Sequence, residues 1–196
     1  MTLSMQRNLF ELGRTGKVQF QTTETLQNAV VGVIGAGHIG SRIIKMLNSF
    51  APAKILYNTR NKHPEVEASG AEYAKLDHLL NTSDVIIIAA PGSAGTILNE
   101  DALKTLKNNA LIVSISPKNL IDFDALLPKL QSGALRAVVD WPAPNDEFSK
   151  LPLHVWFNTN NHTAYNTKAV IKICSDMGTS SLLNLLKTGE DKYKVN

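Results

Sequence analysis

The sequence predicts an α/β chain built on one doubly wound parallel sheet, and three observations predict it. Short, continuously apolar runs recur along the chain, as strands buried on both faces of a parallel sheet do. Segments with helical apolar spacing alternate with those runs. A glycine-rich turn, Gly35-Ala-Gly37-His-Ile-Gly40, joins the first run to the first such segment. At 196 residues, with 43% hydrophobic and 19% charged residues, the chain fits a single domain with a substantial core.

Val31, Val33 and Ile34 form the first predicted strand, and Ile39, Ile43, Leu47 and Phe50 stripe the helix after it. Gly35 permits the tight turn, Gly37 lets a pyrophosphate approach the backbone, and Gly40 lets the helix pack on the strand. His38 and Ile39 open a helix whose free N–H groups and partial positive charge suit phosphates. Strand, turn and helix together predict a Rossmann-type, dinucleotide-binding domain over residues 26–196, preceded by a helical segment and connector over residues 1–25. Lys54 to Tyr57 reads as the second strand, Leu76 to Leu80 as a short helix and Asp84 to Ile88 as a fully buried strand. Asn99 caps a helix with Glu100 and Asp101 in its first turn and Lys104 and Lys107 toward its end. Ala110 to Ser114 is the next strand, and Asp122 caps a helix carrying Leu126, Leu127 and Leu130 that Gly133 stops. Leu135 to Val139 and His154 to Phe157 are the last strands, with Trp141 to Asp146 as a soft loop between them. A final helix, or a pair, spans about Asn166 to Lys187 with Gly189 after it, and places Cys174 on an apolar face with Val170, Ile173 and Met177, expected in the core.

Several function classes are excluded on composition. The net charge of +3 is spread out, with no basic stripe for nucleic acid. The longest apolar run, Val85 to Ala90, is strand-sized, and the N-terminus has no signal-peptide core. Cys174 is the only cysteine, which precludes an intramolecular disulfide. No metal, membrane or nucleic-acid partner is expected, and a cytoplasmic location is the default.

The order of motifs resembles the NAD(P)-binding domain of the D-isomer-specific 2-hydroxyacid dehydrogenases. The resemblance starts at the glycine turn and continues through Leu76-Asp-His-Leu-Leu80-Asn-Thr-Ser-Asp84, Pro91 with Thr96, and Ile97-Leu-Asn-Glu-Asp-Ala-Leu103. It goes on through Asn109 to Val113, Leu120-Ile-Asp122, Val138-Val-Asp140, His162-Thr-Ala-Tyr-Asn-Thr167 and Leu185 to Glu190. It implies NAD(P) binding with Pro91, Thr96, Ser114 and Asp140 beside the glycine turn, a 2-keto acid substrate, and a homodimer formed through this domain and its leading helix. Leu3, Leu9, Phe10 and Leu12 would lie in that contact.

The departures from the family pattern are as specific. The chain has no room for the separate substrate-binding domain that precedes the cofactor domain. Pro117 stands where the family has its catalytic arginine, with Lys118 adjacent, and Asn145 stands where it has its glutamate, with Asp146 and Glu147 following. Only the catalytic histidine is in place, as His162. A histidine near neutral pKa can hand a proton to a forming alkoxide, while an arginine anchors the substrate carboxylate as a planar fork that a lysine does not reproduce. His162 reads either as proton donor or as a loop histidine capping the last helix; Lys118 reads as a substrate clamp or a surface lysine.

The end of the second strand bears on the cofactor. An acid there would hold the ribose diol, but this chain has Asn58, followed by Arg60 and Lys62, which favours NADP over NAD. The alternative is a solvated loop with Asn58 bonding either ribose. Two functions compete: a 2-hydroxyacid dehydrogenase-type oxidoreductase, and a non-catalytic dinucleotide-binding sensor or interaction module.

Overall fold

The computed structural model describes residues 25–159 and 167–190. Seven strands form one sheet: β1 (Val30–Ile34), β2 (Lys54–Asn58), β3 (Ala71–Tyr73), β4 (Val85–Ile88), β5 (Ala110–Ser114), β6 (Leu135–Val139) and β7 (Trp156–Asn158). Their order is β3-β2-β1-β4-β5-β6-β7, and every neighbouring pair is parallel. The chain runs outward from β1 through β2 to β3, then crosses back to place β4 on the other side of β1. That reversal makes the β1/β4 boundary the switch point at which such sheets open a ligand crevice.

The helices are α1 (His38–Leu47), α2 (Pro64–Glu67), α3 (Leu76–Thr82), α4 (Glu100–Thr105), α5 (Phe123–Gln131), α6 (Asp146–Ser149) and α7 (Lys168–Thr188). Two clusters of buried side chains lie on opposite faces of the sheet. Val31, Val33, Ile55 and Tyr57 pack with Ile44 and Leu47 of α1 and Val66 of α2. Leu56, Ile86, Ile88 and Ile112 pack with Leu79 and Leu80 of α3, Leu103 of α4 and Leu126 and Leu130 of α5. Asn99 and Asp122 cap α4 and α5 as their positions suggest, their side chains accepting from Ala102 N and Ala125 N.

Several sequence expectations shift. The apolar stripe of α1 is rotated: Gly40, Ile44 and Leu47 are buried, while Ile39 and Phe50 are exposed, because the glycine and not a large side chain faces the strand. Strand β4 is buried on one face and half-buried on the other among the described residues, where full burial was expected. The three-residue β3 and the helices α2 and α6 have no counterpart in the sequence reading, and the last strand lies at Trp156–Asn158. The segment from Trp141 is a loop as expected, but it is pinned at its start: Trp141 is 2% exposed and meets Phe123 at 4.8 Å and Trp156 at 6.2 Å between ring centroids. The final helix is single and ends at Gly189, but none of its residues is buried, so Cys174 is exposed and not in the core. Periodicity showed an apolar face; nothing among the described residues covers it. Leu3, Leu9, Phe10, Leu12 and His162 lie outside the described residues.

Candidate functional site

The sequence-predicted cofactor residues come together on one edge. Gly35, Asn58, Pro91, Ser114 and Asp140 stand at or just past the carboxyl ends of β1, β2, β4, β5 and β6, strands that are mutually parallel. Lys118 follows β5 on the same edge, in a 3-10 turn over Lys118–Leu120.

The three glycines have the separate geometries their spacing implies. Gly35 has φ +92°, its N–H donates to the Asn58 carbonyl at 2.8 Å, and a Cβ there would lie 2.5 Å from the Ala89 carbonyl oxygen. A Cβ on Gly40 would overlap the Gly35 carbonyl oxygen, so helix and turn touch backbone to backbone. Gly37 is exposed, and a Cβ there would meet nothing within 4 Å. Gly37 caps the ten-residue α1 without a side-chain hydrogen bond, no acid occupies the first turn, and His38 and Ile39 open that turn exposed. A helix end with no acceptor or acid of its own, and free space above its cap, fits the pyrophosphate of a dinucleotide.

At the end of β2, the Asn58 side chain is tied down: Nδ2 donates to the Ala74 carbonyl at 2.8 Å, which leaves Oδ1 as the amide's acceptor. Buried Tyr57 accepts the His63 N–H on its hydroxyl at 3.0 Å, and burial holds that phenol above its ordinary pKa, so it stays neutral. The Lys62 ammonium sits 5.2 Å from the Tyr73 ring centroid, and Arg60 is exposed with no ion pair among the described residues. Two cations, Arg60 and Lys62, therefore follow β2 before the first acids, Glu65 and Glu67 of α2.

On the other side of β1, the loops after β4 and β5 stand at the same edge of the sheet. Pro91 precedes a 3-10 turn over Gly92–Ala94, and Thr96 donates its hydroxyl to the Asn119 carbonyl at 3.2 Å. Ser114 is buried and accepts Ser116 N–H on its hydroxyl at 3.4 Å, so it supports the loop from beneath. Asp140 is 7% exposed, its N–H donates to the Ser114 carbonyl at 3.0 Å, and its Oδ1 accepts the Thr159 hydroxyl at 2.8 Å. Trp141 Nε1 donates to the Ser116 carbonyl at 3.0 Å, joining the loops that carry Pro117 and Asn145. Asn145 caps α6, accepting Glu147 N–H at 3.0 Å. Sequence reasoning missed Ala74, Ser116 and Asn119, because each acts through a contact between loops distant in sequence.

Among the described residues, no group of His, Cys, Asp or Glu could hold a metal ion, and no helix is long and apolar enough to cross a membrane.

The chain matches the family model "D-isomer specific 2-hydroxyacid dehydrogenase, NAD binding domain" over residues 2–165. It is 38% identical over 106 residues to a glyoxylate reductase of Thermococcus onnurineus, covering 53% of this chain and 31% of that protein. It is 28% identical over 220 residues to a D-2-hydroxyacid dehydrogenase (NAD+) of Lacticaseibacillus paracasei, covering 95% of this chain and 65% of that protein. Among solved structures, apo D-lactate dehydrogenase of Escherichia coli superposes with a TM-score of 0.80 at 28% identity, covering 92% of this chain and 60% of that one. The chain thus spans between 31% and 65% of the length of these curated relatives.

Proposed function

The chain belongs to the D-isomer-specific 2-hydroxyacid dehydrogenase family, matched through its NAD-binding domain, and on that premise we propose that it is an NAD(P)-dependent oxidoreductase acting on a 2-keto acid. The carrying observation is the turn at Gly35, Gly37 and Gly40. A left-handed turn, an open cap and a backbone contact stand where a dinucleotide needs them, at the switch point of a parallel sheet.

When bound, the reduced dinucleotide supplies a hydride. The chain's own residues position it and handle the proton. The uncapped end of α1 takes the pyrophosphate, and the loop after β2 takes the adenosine ribose. Arg60, exposed and unpaired among the described residues, and Lys62 favour a 2′-phosphate and hence NADP, with Asn58 Oδ1 accepting from a ribose hydroxyl. Ser114 and Asp140 support the nicotinamide end. His162 is the proton donor to the forming alkoxide, and Lys118 is the one cation beside the position of the family's arginine, available to a substrate carboxylate. A homodimer, with Leu3, Leu9, Phe10 and Leu12 at the contact, covers part of the crevice. A relative's name supports a small substrate such as glyoxylate.

The test is a titration of NADPH and NADH by nicotinamide fluorescence, followed by turnover with glyoxylate and pyruvate. Binding with turnover is the expected result. Binding without turnover would replace the oxidoreductase with a dinucleotide sensor, and absence of binding would remove both.

A further inference from the structure

The loops after β4 and β5 are fastened together at one point. The Asn119 side chain donates from Nδ2 to the Gly92 carbonyl at 2.8 Å, while its own backbone carbonyl accepts the Thr96 hydroxyl at 3.2 Å. One residue thus grips both ends of the segment between Gly92 and Thr96. The approach is close: a Cβ on Gly92 would lie 3.2 Å from Asn119 Oδ1 and 3.3 Å from Pro117 Cγ. Below the latch, Ile97 N and Leu98 N both donate to the Leu120 carbonyl at 2.9 Å, and Leu98 bridges Ile121. That lower seam anchors the loop's far end whether or not the side-chain latch is present.

We infer that Asn119 is a positioning residue for the nicotinamide half of the dinucleotide. The inference rests on the dinucleotide-binding reading above. The loop it holds leaves β4, on the side of β1 opposite β2, and the β2 end is where the adenosine ribose is read in this fold. The segment from Pro91 to Thr96 therefore borders the other half of the ligand. Most of that segment is exposed and its own order is one short turn, Ala94 N–H donating to the Pro91 carbonyl at 3.0 Å; the two Asn119 bonds fasten that turn to the β5 loop before the ligand arrives. Pro117, in contact range of Gly92, stiffens the same joint from the β5 side.

The experiment compares wild type, Asn119→Ala and the isosteric Asn119→Asp, whose carboxylate cannot donate to the Gly92 carbonyl. Affinity is read for NADPH and for its adenosine half, 2′,5′-ADP, or for NADH and AMP should the wild type prefer NADH. Both variants should bind the dinucleotide about tenfold more weakly, the scale of one lost hydrogen bond that orders a loop, and bind the adenosine fragment as the wild type does. Thermal melting checks that both variants fold. Unchanged dinucleotide affinity, or an equal loss for dinucleotide and fragment, would overturn the latch. A wild type that binds neither would overturn the dinucleotide reading itself, a separate outcome.

Discussion

Gly35 and Asn58 are bonded across the ends of two parallel strands, the Gly35 N–H donating to the Asn58 carbonyl at 2.8 Å. The residue that shapes the glycine turn and the residue that ends β2 thus form one unit. Asn58 is held from its other end by Ala74, so its amide orientation is set before any ligand binds.

Cofactor choice follows from that arrangement. NADPH should bind more tightly than NADH, and added salt should erode the difference, because Arg60 and Lys62 are exposed. Asn58→Asp should reverse the preference by restoring an acid for the diol. It should also lower stability by about 1 kcal/mol, since a carboxylate cannot donate to the Ala74 carbonyl. Fluorescence titrations at low and high salt check the preference, and tighter NADH binding by the wild type would show that the loop is only a solvated surface.

Two of the three glycines should separate when replaced. Gly37→Val should abolish dinucleotide binding with little change in melting temperature, because open space lies where the new side chain would go. Gly40→Ala should destabilise by about 3 kcal/mol, since its methyl would overlap the Gly35 carbonyl oxygen and force helix and turn apart. Calorimetry of both variants, with titration of the first, distinguishes a ligand space from a packing contact.

These glycines were legible in the sequence because their spacing encodes backbone geometry directly. Strands β5 and β6 were legible as well, their apolar runs matching the observed limits. Strand β3 was not: Ala71, Glu72 and Tyr73 form a three-residue edge strand that pairs only with β2 and carries no apolar run. Cys174 was misplaced for a different reason. Helical spacing reports that a face is apolar, but whether another element covers it depends on tertiary structure, and no residue of α7 is buried. The Asn119 and Trp141 bonds were invisible because neither partner's sequence neighbourhood names the other.

Stability at the opposite edge should depend on pH through Asp84. Its carboxylate accepts Val30 N–H and the Lys107 ammonium at 2.8 and 2.9 Å. Partial burial pushes its pKa upward, but those two donors outweigh it and hold the group below its ordinary value. With the folded pKa depressed, the contribution is present above the unfolded value of about 3.8–3.9 and is lost as pH falls through the folded one. Both side chains are half exposed, so Asp84→Asn should cost only about 1 kcal/mol at pH 7, a fall of about 2–4 °C in Tm. The gap between wild type and variant should narrow below about pH 4. A constant gap from pH 3 to 7 would exclude the ion pair as its source.

Assembly and catalysis share a further prediction. Light scattering should report a mass near twice 21.4 kDa. His162→Ala should lower keto-acid turnover by at least about 100-fold while leaving dinucleotide affinity unchanged. A clean monomer would refute the dimer, and turnover indifferent to the substitution would refute the histidine's role.

The reversal of direction at β1 also dictates when the glycine turn can be fully closed. As β1 leaves the ribosome only β2 soon follows; its other neighbour is much later, with Val30 and Asp84 joined across 54 residues. Gly35 is bonded to Asn58 at the end of β2, but its tight backbone also lies against Ala89, just past β4, so the turn is closed on one side only until that strand arrives. Closing so long a loop is entropically slow, and the apolar strand β1 waits beside β2 with one edge bare in the meantime. The first of the described strands therefore completes its pairing only once the fourth has emerged, and slowing translation after that point should matter less to its maturation than slowing it before.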